Sequence, residues 1–207
     1  MKQSSLRLLL ALSVGLAPAL RAQNITSELN GRLVSLKGRS AVPFASADLA
    51  QDKYIALYFS AGWCPPCHAF TPELVRFYNE MKPKHPGFEI VFVTQDHSES
   101  EMQSYMREMS MPWPALRYSF AKSSRNLNKY CGPAIPCLVL LNDKGEVVSD
   151  SFAGEKYLGP QKVMDDLGKL LAAETATASN THPAKSVDDA VKSPSGTNWD
   201  EAFKKKP

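Results

Sequence analysis

The stretch Trp63-Cys64-Pro65-Pro66-Cys67 decides how the rest of this 207-residue chain is read. In front of it, residues 54–60 form an aromatic and branched apolar run suited to a strand buried on both faces. Behind it, Phe70, Leu74, Phe77, Tyr78 and Met81 recur at helical spacing, which predicts a helix over 68–81. The dithiol therefore sits where a strand gives way to a helix. Cys64 falls at the helix N-terminus, where free N–H groups and the helix dipole favour a thiolate. Cys67 lies one turn on and can close a small disulfide ring. Pro65 and Pro66 suit the first turn, where a missing N–H costs nothing. They also withhold two amide donors from the Cys64 sulfur, so its stabilisation should be moderate and come from Cys67.

Moving outward, residues 88–94 predict a second central strand, and residues 137–141 a third. Pro72 should kink the helix between the first two strands. Ser98 followed by Glu101 is a capping-box start for a helix reaching Met109. Residues 111–118, with Pro112-Trp113-Pro114, read as a loop, and 123–130 as a short helix. Asn142-Asp143-Lys144-Gly145 is a hairpin turn into an antiparallel strand over 146–150. Residues 160–173 form a closing helix with Val163, Leu167, Leu170 and Leu171 inward. Before the dithiol, structure is weak: a short edge strand over 32–36 and a short capped helix over 46–49. A βαβ half followed by an antiparallel hairpin and a helix predicts an α/β domain, a mixed central sheet with helices on both faces and an N-terminal strand extension.

The two ends carry different information. Residues 1–22 read as a signal peptide: Lys2 and Arg7, an apolar run over 8–20, then Ala17, Ala19 and Ala22. The run falls short of the roughly 20 residues a spanning helix needs, so no membrane insertion is expected after cleavage. Export follows, to the periplasm if the source is bacterial, or to the endoplasmic reticulum lumen or outside the cell otherwise. Residues 174–207 are polar and low in apolar content and read as a disordered tail, leaving 23–173 as the folded domain. A formal net charge of +3 argues against nucleic acid as a partner. Of the four cysteines, Cys131 and Cys137 lie too far apart for a second Cys-x-x-Cys, and the four histidines are scattered. Zinc is thereby disfavoured, and no metal site is expected.

Tyr58-Phe59-Ser60-Ala61, Trp63 to Cys67, Phe70-Thr71-Pro72, Val91-Phe92-Val93, Pro112-Trp113 and Ile135-Pro136 occur in the order and at the separations of the thioredoxin fold. The chain resembles its tryparedoxin and nucleoredoxin branch over residues 33–171. The resemblance implies reversible dithiol–disulfide exchange with protein substrates and no cofactor beyond the Cys64-Cys67 disulfide. It also implies a cis peptide at Ile135-Pro136 facing the dithiol. Several positions depart from the wider pattern. Tyr58 stands where many thioredoxins carry a buried aspartate, leaving the proton acceptor for Cys67 unassigned. His68 replaces a common basic residue, Arg117-Tyr118 a common Pro-Phe, and Cys137 the usual threonine after the proline.

On this reading Cys64 is the nucleophile and Cys67 resolves the mixed disulfide. Trp63 is either a flat contact surface for partners or simple packing. A cis Pro136 would leave the Ile135 carbonyl and N–H open to a substrate strand. His68 either supports the thiolate or lies on the surface, since a helix N-terminus disfavours an imidazolium. Trp113 borders the groove or caps the core. Cys131 and Cys137 pair with each other, take electrons from Cys64-Cys67, or stay buried thiols. The expected function is an exported, monomeric thiol–disulfide oxidoreductase, reductase rather than oxidase, served by a separate electron donor. The alternatives are a thiol peroxidase, which lacks the expected threonine and arginine, and a non-catalytic binding or metal-carrier module.

Overall fold

The computed structural model describes residues 25–45, 49 and 51–180. In chain order the elements are α1 (Ile25–Leu29), β1 (Leu33–Lys37), β2 (Ser40–Pro43), β3 (Tyr54–Ser60), α2 (Pro65–Met81) and β4 (Phe88–Thr94). Then come α3 (Glu99–Glu108), β5 (Ala115–Leu116), α4 (Tyr118–Ser123), α5 (Arg125–Asn128) and β6 (Cys137–Asn142). The last are β7 (Val147–Asp150), β8 (Phe152–Ala153), β9 (Lys156–Tyr157) and α6 (Pro160–Asn180). The chain divides into a compact unit ending at Ala172 and a second beginning at Ala173.

β3 is the spine of a seven-stranded mixed sheet ordered β2-β1-β5-β4-β3-β6-β7. It runs parallel to β4, from Tyr54 opposite Phe88 to Ser60 opposite Thr94, and antiparallel to β6. All residues of β3 and β4 are buried, as a strand covered on both faces requires. Alternation sorts their side chains between two layers. Tyr54, Ala56 and Tyr58 join Leu74 and Tyr78 of α2, Met102 and Tyr105 of α3, and Val163 and Leu167 of α6. Ile55, Leu57 and Phe59 meet Ile25 and Leu29 of α1, Ala121 of α4 and Leu127 of α5. The same alternation puts Cys137 in the second layer, on the opposite face from Cys64 and Cys67. This is the thioredoxin fold expected from the sequence, with the strand extension at its N-terminal side.

Local differences have physical causes. The strand expected at 32–36 is β1, but it is not an edge: β2 covers one side and β5 the other. The residues read as a loop over 111–118 contain β5, whose two residues are too few to carry a periodicity. α1, α4 and the β8–β9 hairpin were not foreseen, none of these elements exceeding six residues. Of the helix expected over 46–49, only Leu49 lies among the described residues. α2 runs unbroken through Pro72. α3 is capped as expected: Ser98 Oγ accepts from Glu101 N at 3.1 Å, while the Glu101 carboxylate reaches back to His97 N at 2.9 Å. α6 continues to Asn180, past the expected end at 173, because its alanines are strong helix formers and no Gly or Pro intervenes. The signal segment and the remainder of the polar tail lie outside the described residues.

Candidate redox site

The chain leaves β3 at Ser60 and turns sharply into α2. Cys64 is the N-cap of α2, extended at φ −99 and ψ 106, with prolines in the first helical positions. Its sulfur accepts the Cys67 N–H at 3.3 Å, and its carbonyl accepts from Cys67 N and His68 N. Cys67 is therefore the local donor that the Pro-Pro insert leaves available. The two sulfurs are joined as a disulfide, with the Cα atoms 5.2 Å apart. Gly62, in the turn, gives its N–H to Asp96 Oδ1 at 2.8 Å. A Cβ there would lie 3.1 Å from the Tyr105 Cβ, so the close approach of the loop to α3 selects glycine.

Cys64 is only 3% exposed and Cys67 is fully buried. The surface beside them belongs to Trp63, which is 54% exposed. Its ring stacks on His97 at 12° and its Nε1–H donates to Gln95 O at 3.3 Å, so it is a displayed platform and not core packing. On the other side of the sulfur, the Ile135-Pro136 bond is cis. The Cys64 sulfur sits 3.8 Å from the Ile135 carbonyl oxygen. In the disulfide it carries no proton, so that contact becomes a hydrogen bond only after reduction. Trp63, Gln95, Cys131, Gly132, Pro133, Ala134 and Ile135 line a groove of about 220 Å³ between these walls. The cis-proline loop is braced from behind by the small hairpin. Tyr157 donates to Pro136 O at 2.6 Å, and its ring meets Phe152 at 5.0 Å.

Beneath Cys67 lies a network of hydroxyls that the sequence did not reveal. Thr71 donates to Cys67 O at 2.7 Å, spending its one proton. The Tyr58 hydroxyl, 2.8 Å away, and the Tyr105 hydroxyl, 2.6 Å away, must then both donate to Thr71 Oγ1. Tyr105 in turn accepts from Ser60 Oγ at 3.0 Å. Burial first, and the neighbouring Tyr105 second, push the Tyr58 phenol well above its ordinary range. Tyr58 therefore keeps its proton at any physiological pH and is no substitute for a carboxylate base. The network fixes the first turn of α2 against β3 and α3 without charge.

His68 is neither a thiolate partner nor a free surface group. Its Nε2 lies 2.6 Å from Gly62 O, which can only accept, so that nitrogen carries the proton. Nδ1 faces Glu108 at 3.8 Å and the ring packs 5.2 Å from Tyr105. Trp113 is core, wedged edge-on against Tyr58 and Tyr78. Cys131 and Cys137 are not joined, the first partly exposed and the second buried. Among the described residues no cluster of three or more His, Cys, Asp or Glu is arranged to hold a metal ion. No described helix is long and apolar enough to cross a membrane. Asp96, Thr71, Tyr105 and Ser60 are the contributors that sequence reasoning missed.

A disulfide at a helix N-cap, facing a cis-proline loop, on this sheet order, defines a class of redox fold. Comparison with known proteins agrees: a protein-family model described as thioredoxin-like matches residues 52–147. The chain belongs to the thioredoxin superfamily, in its nucleoredoxin- and tryparedoxin-like branch. It is 37% identical to probable nucleoredoxin 1 of Arabidopsis thaliana over 64% of its own length and 23% of that protein's. Less than a quarter of that relative is thus spanned. A thioredoxin from Wuchereria bancrofti is 35% identical, with a TM-score of 0.52, over 70% of this chain and 96% of the other. Tryparedoxin from Trypanosoma brucei is 32% identical, with a TM-score of 0.51, over 61% and 85%.

Proposed function

We propose that the chain is an exported thiol–disulfide oxidoreductase that reduces disulfides in protein substrates. The observation that carries this is the Cys64-Cys67 disulfide capping α2 beside the groove between Trp63 and the cis Ile135-Pro136 bond. In the reduced enzyme, the Cys64 thiolate attacks one sulfur of a substrate disulfide and releases the other as a thiolate. Cys67, once deprotonated, attacks the Cys64 sulfur of the mixed disulfide and frees the second substrate thiol. The disulfide described above is the oxidised end of that cycle. A separate electron donor returns it to the dithiol, and no bound cofactor or metal takes part. The groove flanking the sulfur suits an extended strand: among the described residues no backbone group pairs with Ile135 N–H or C=O. Cys64 is little exposed, and its sulfur lies against Ile135 at the edge of that groove, from which partners reach it.

The reducing direction rests on the modest stabilisation of the Cys64 thiolate. Strong oxidants in this fold hold their thiolate with many donors. Here Pro65 and Pro66 offer none, and Cys67 N–H is the amide on the sulfur. Export rests on the sequence of residues 1–22 alone. The periplasm is the destination in a bacterium, and the mature chain acts as a monomer.

The decisive experiment uses a Cys67→Ser variant, which cannot resolve its mixed disulfide. Incubated with an extract of the proposed compartment, it should accumulate reductant-sensitive adducts to proteins through Cys64, while Cys64→Ser accumulates none. Failure to form any adduct, with wild type inert in an insulin reduction assay, would leave a binding module as the better reading. A dithiol potential at the oxidising end of the roughly 150 mV this fold spans would reverse the direction.

A further inference from the structure

Cys131 and Cys137 flank the cis-proline loop, five residues from Gly132 to Pro136. The Cys137 S–H points to Tyr130 O at 4.0 Å, an oxygen of the peptide group that leads into Cys131. The Cys137 sulfur thus faces the peptide bond between Tyr130 and Cys131. The Cys131 sulfur is turned toward Gly132 O, 3.5 Å away, and both residues line the groove. The two thiols are near enough that a charge on Cys131 disfavours one on Cys137. A disulfide wants Cα atoms roughly 4.4–6.8 Å apart. Closing the bond requires the Cys131 side chain to turn from Gly132 O toward the Cys137 sulfur.

We propose that Cys131 and Cys137 form a second dithiol–disulfide couple behind the cis-proline loop, oxidised by small-molecule disulfides that enter the groove. Cys131, half-exposed there, attacks one sulfur of the small disulfide, forming a mixed disulfide and releasing one thiol. Cys137 then attacks the Cys131 sulfur and releases the second thiol. The small disulfide is reduced to two thiols and the protein gains one bond, so electrons and protons balance. The bond draws the Cys131 side chain out of the groove wall. Burial pushes both thiols up, Cys137 to about 11, so the couple forms slowly at neutral pH and faster as the pH rises. The couple does not depend on the direction in which Cys64-Cys67 works.

The test removes the first pair: the full chain carrying Cys64→Ser and Cys67→Ser is incubated with oxidised glutathione, quenched in acid, alkylated and weighed intact. The expected product has lost two hydrogens and takes no alkylating agent, after a transient single glutathione adduct. Adding Cys137→Ser should halt the reaction at that adduct, mapped to Cys131. A persistent adduct with Cys137 still alkylated after unfolding, or covalent dimers through Cys131, would overturn the couple. Peptide mapping of oxidised wild type guards against a misfolded variant: a Cys131–Cys137 crosslink supports the proposal, and its absence after complete oxidation of Cys64-Cys67 sinks it.

Discussion

At one end of the sheet Ser60 lies in register with Thr94; at the other, Tyr54 lies in register with Phe88. Six residue steps separate them, about 20 Å. The dithiol end buries four hydroxyls, from Tyr58, Ser60, Thr71 and Tyr105, joined in a neutral chain. The far end buries carboxylates, and Lys82 answers them. Its ammonium lies 3.2 Å from Glu89 and 3.9 Å from Asp52, and also meets the carbonyls of Pro86 and Phe88. Charge is acceptable where nothing reacts. Next to a sulfur whose ionisation sets its reactivity, an uncharged scaffold holds geometry without adding a field of its own. Among the described residues, the buried carboxylate near the dithiol is that of Asp96, which spends its oxygens on Gly62 N–H and Thr94 Oγ1–H.

This contrast can be broken most directly at the charged end. Lys82→Met removes the cation facing Glu89 and should lower unfolding free energy by about 3 kcal/mol in a urea titration. Specific activity of the folded fraction should not change. Loss of activity without loss of stability would mean that the two ends are coupled. A smaller effect is expected at the neutral end. Tyr105→Phe takes away both the donor to Thr71 and the acceptor for Ser60, a cost of about 1–2 kcal/mol in the same titration. Tyr58→Phe removes a single donor and should cost about 1 kcal/mol.

The smallest effect sets a baseline at the surface. The hydrogen bond from Lys162, then that from Ser149, holds the Asp166 carboxyl below its usual value. The unfolded chain then binds a proton there more readily than the folded one, so this stability is present above about pH 4 and lost as the pH falls further. Because the pair is largely open to water, Asp166→Asn should remove no more than a few tenths of a kcal/mol of that acid sensitivity. Urea midpoints of wild type and variant, compared at neutral and acid pH, measure it.

The fold was legible where sequence patterns are long. A seven-residue apolar strand, a dithiol with prolines and a seventeen-residue helix each announce themselves. β5, β8 and β9 could not be read, since two residues establish no alternation. The site was half legible for a related reason. Trp63, Cys64 and Cys67 are neighbours in sequence, and Ile135-Pro136 is a motif in the resemblance. Tyr105 reaches Thr71 across 34 residues and Ser60 across 45, and Asp96 reaches Gly62 across 34, with no local signal to predict either contact. His68 could be placed on the first turn of the helix, but not against Gly62 and α3.

The bond from Tyr157 to the Pro136 carbonyl separates two kinds of inheritance within one molecule. The sulfur chemistry is written in five adjacent residues, and the shape of the adjoining wall is underwritten by a hairpin nearly a hundred positions downstream. Editing Phe152 to Tyr157 would therefore reshape that wall while leaving the reactive motif untouched.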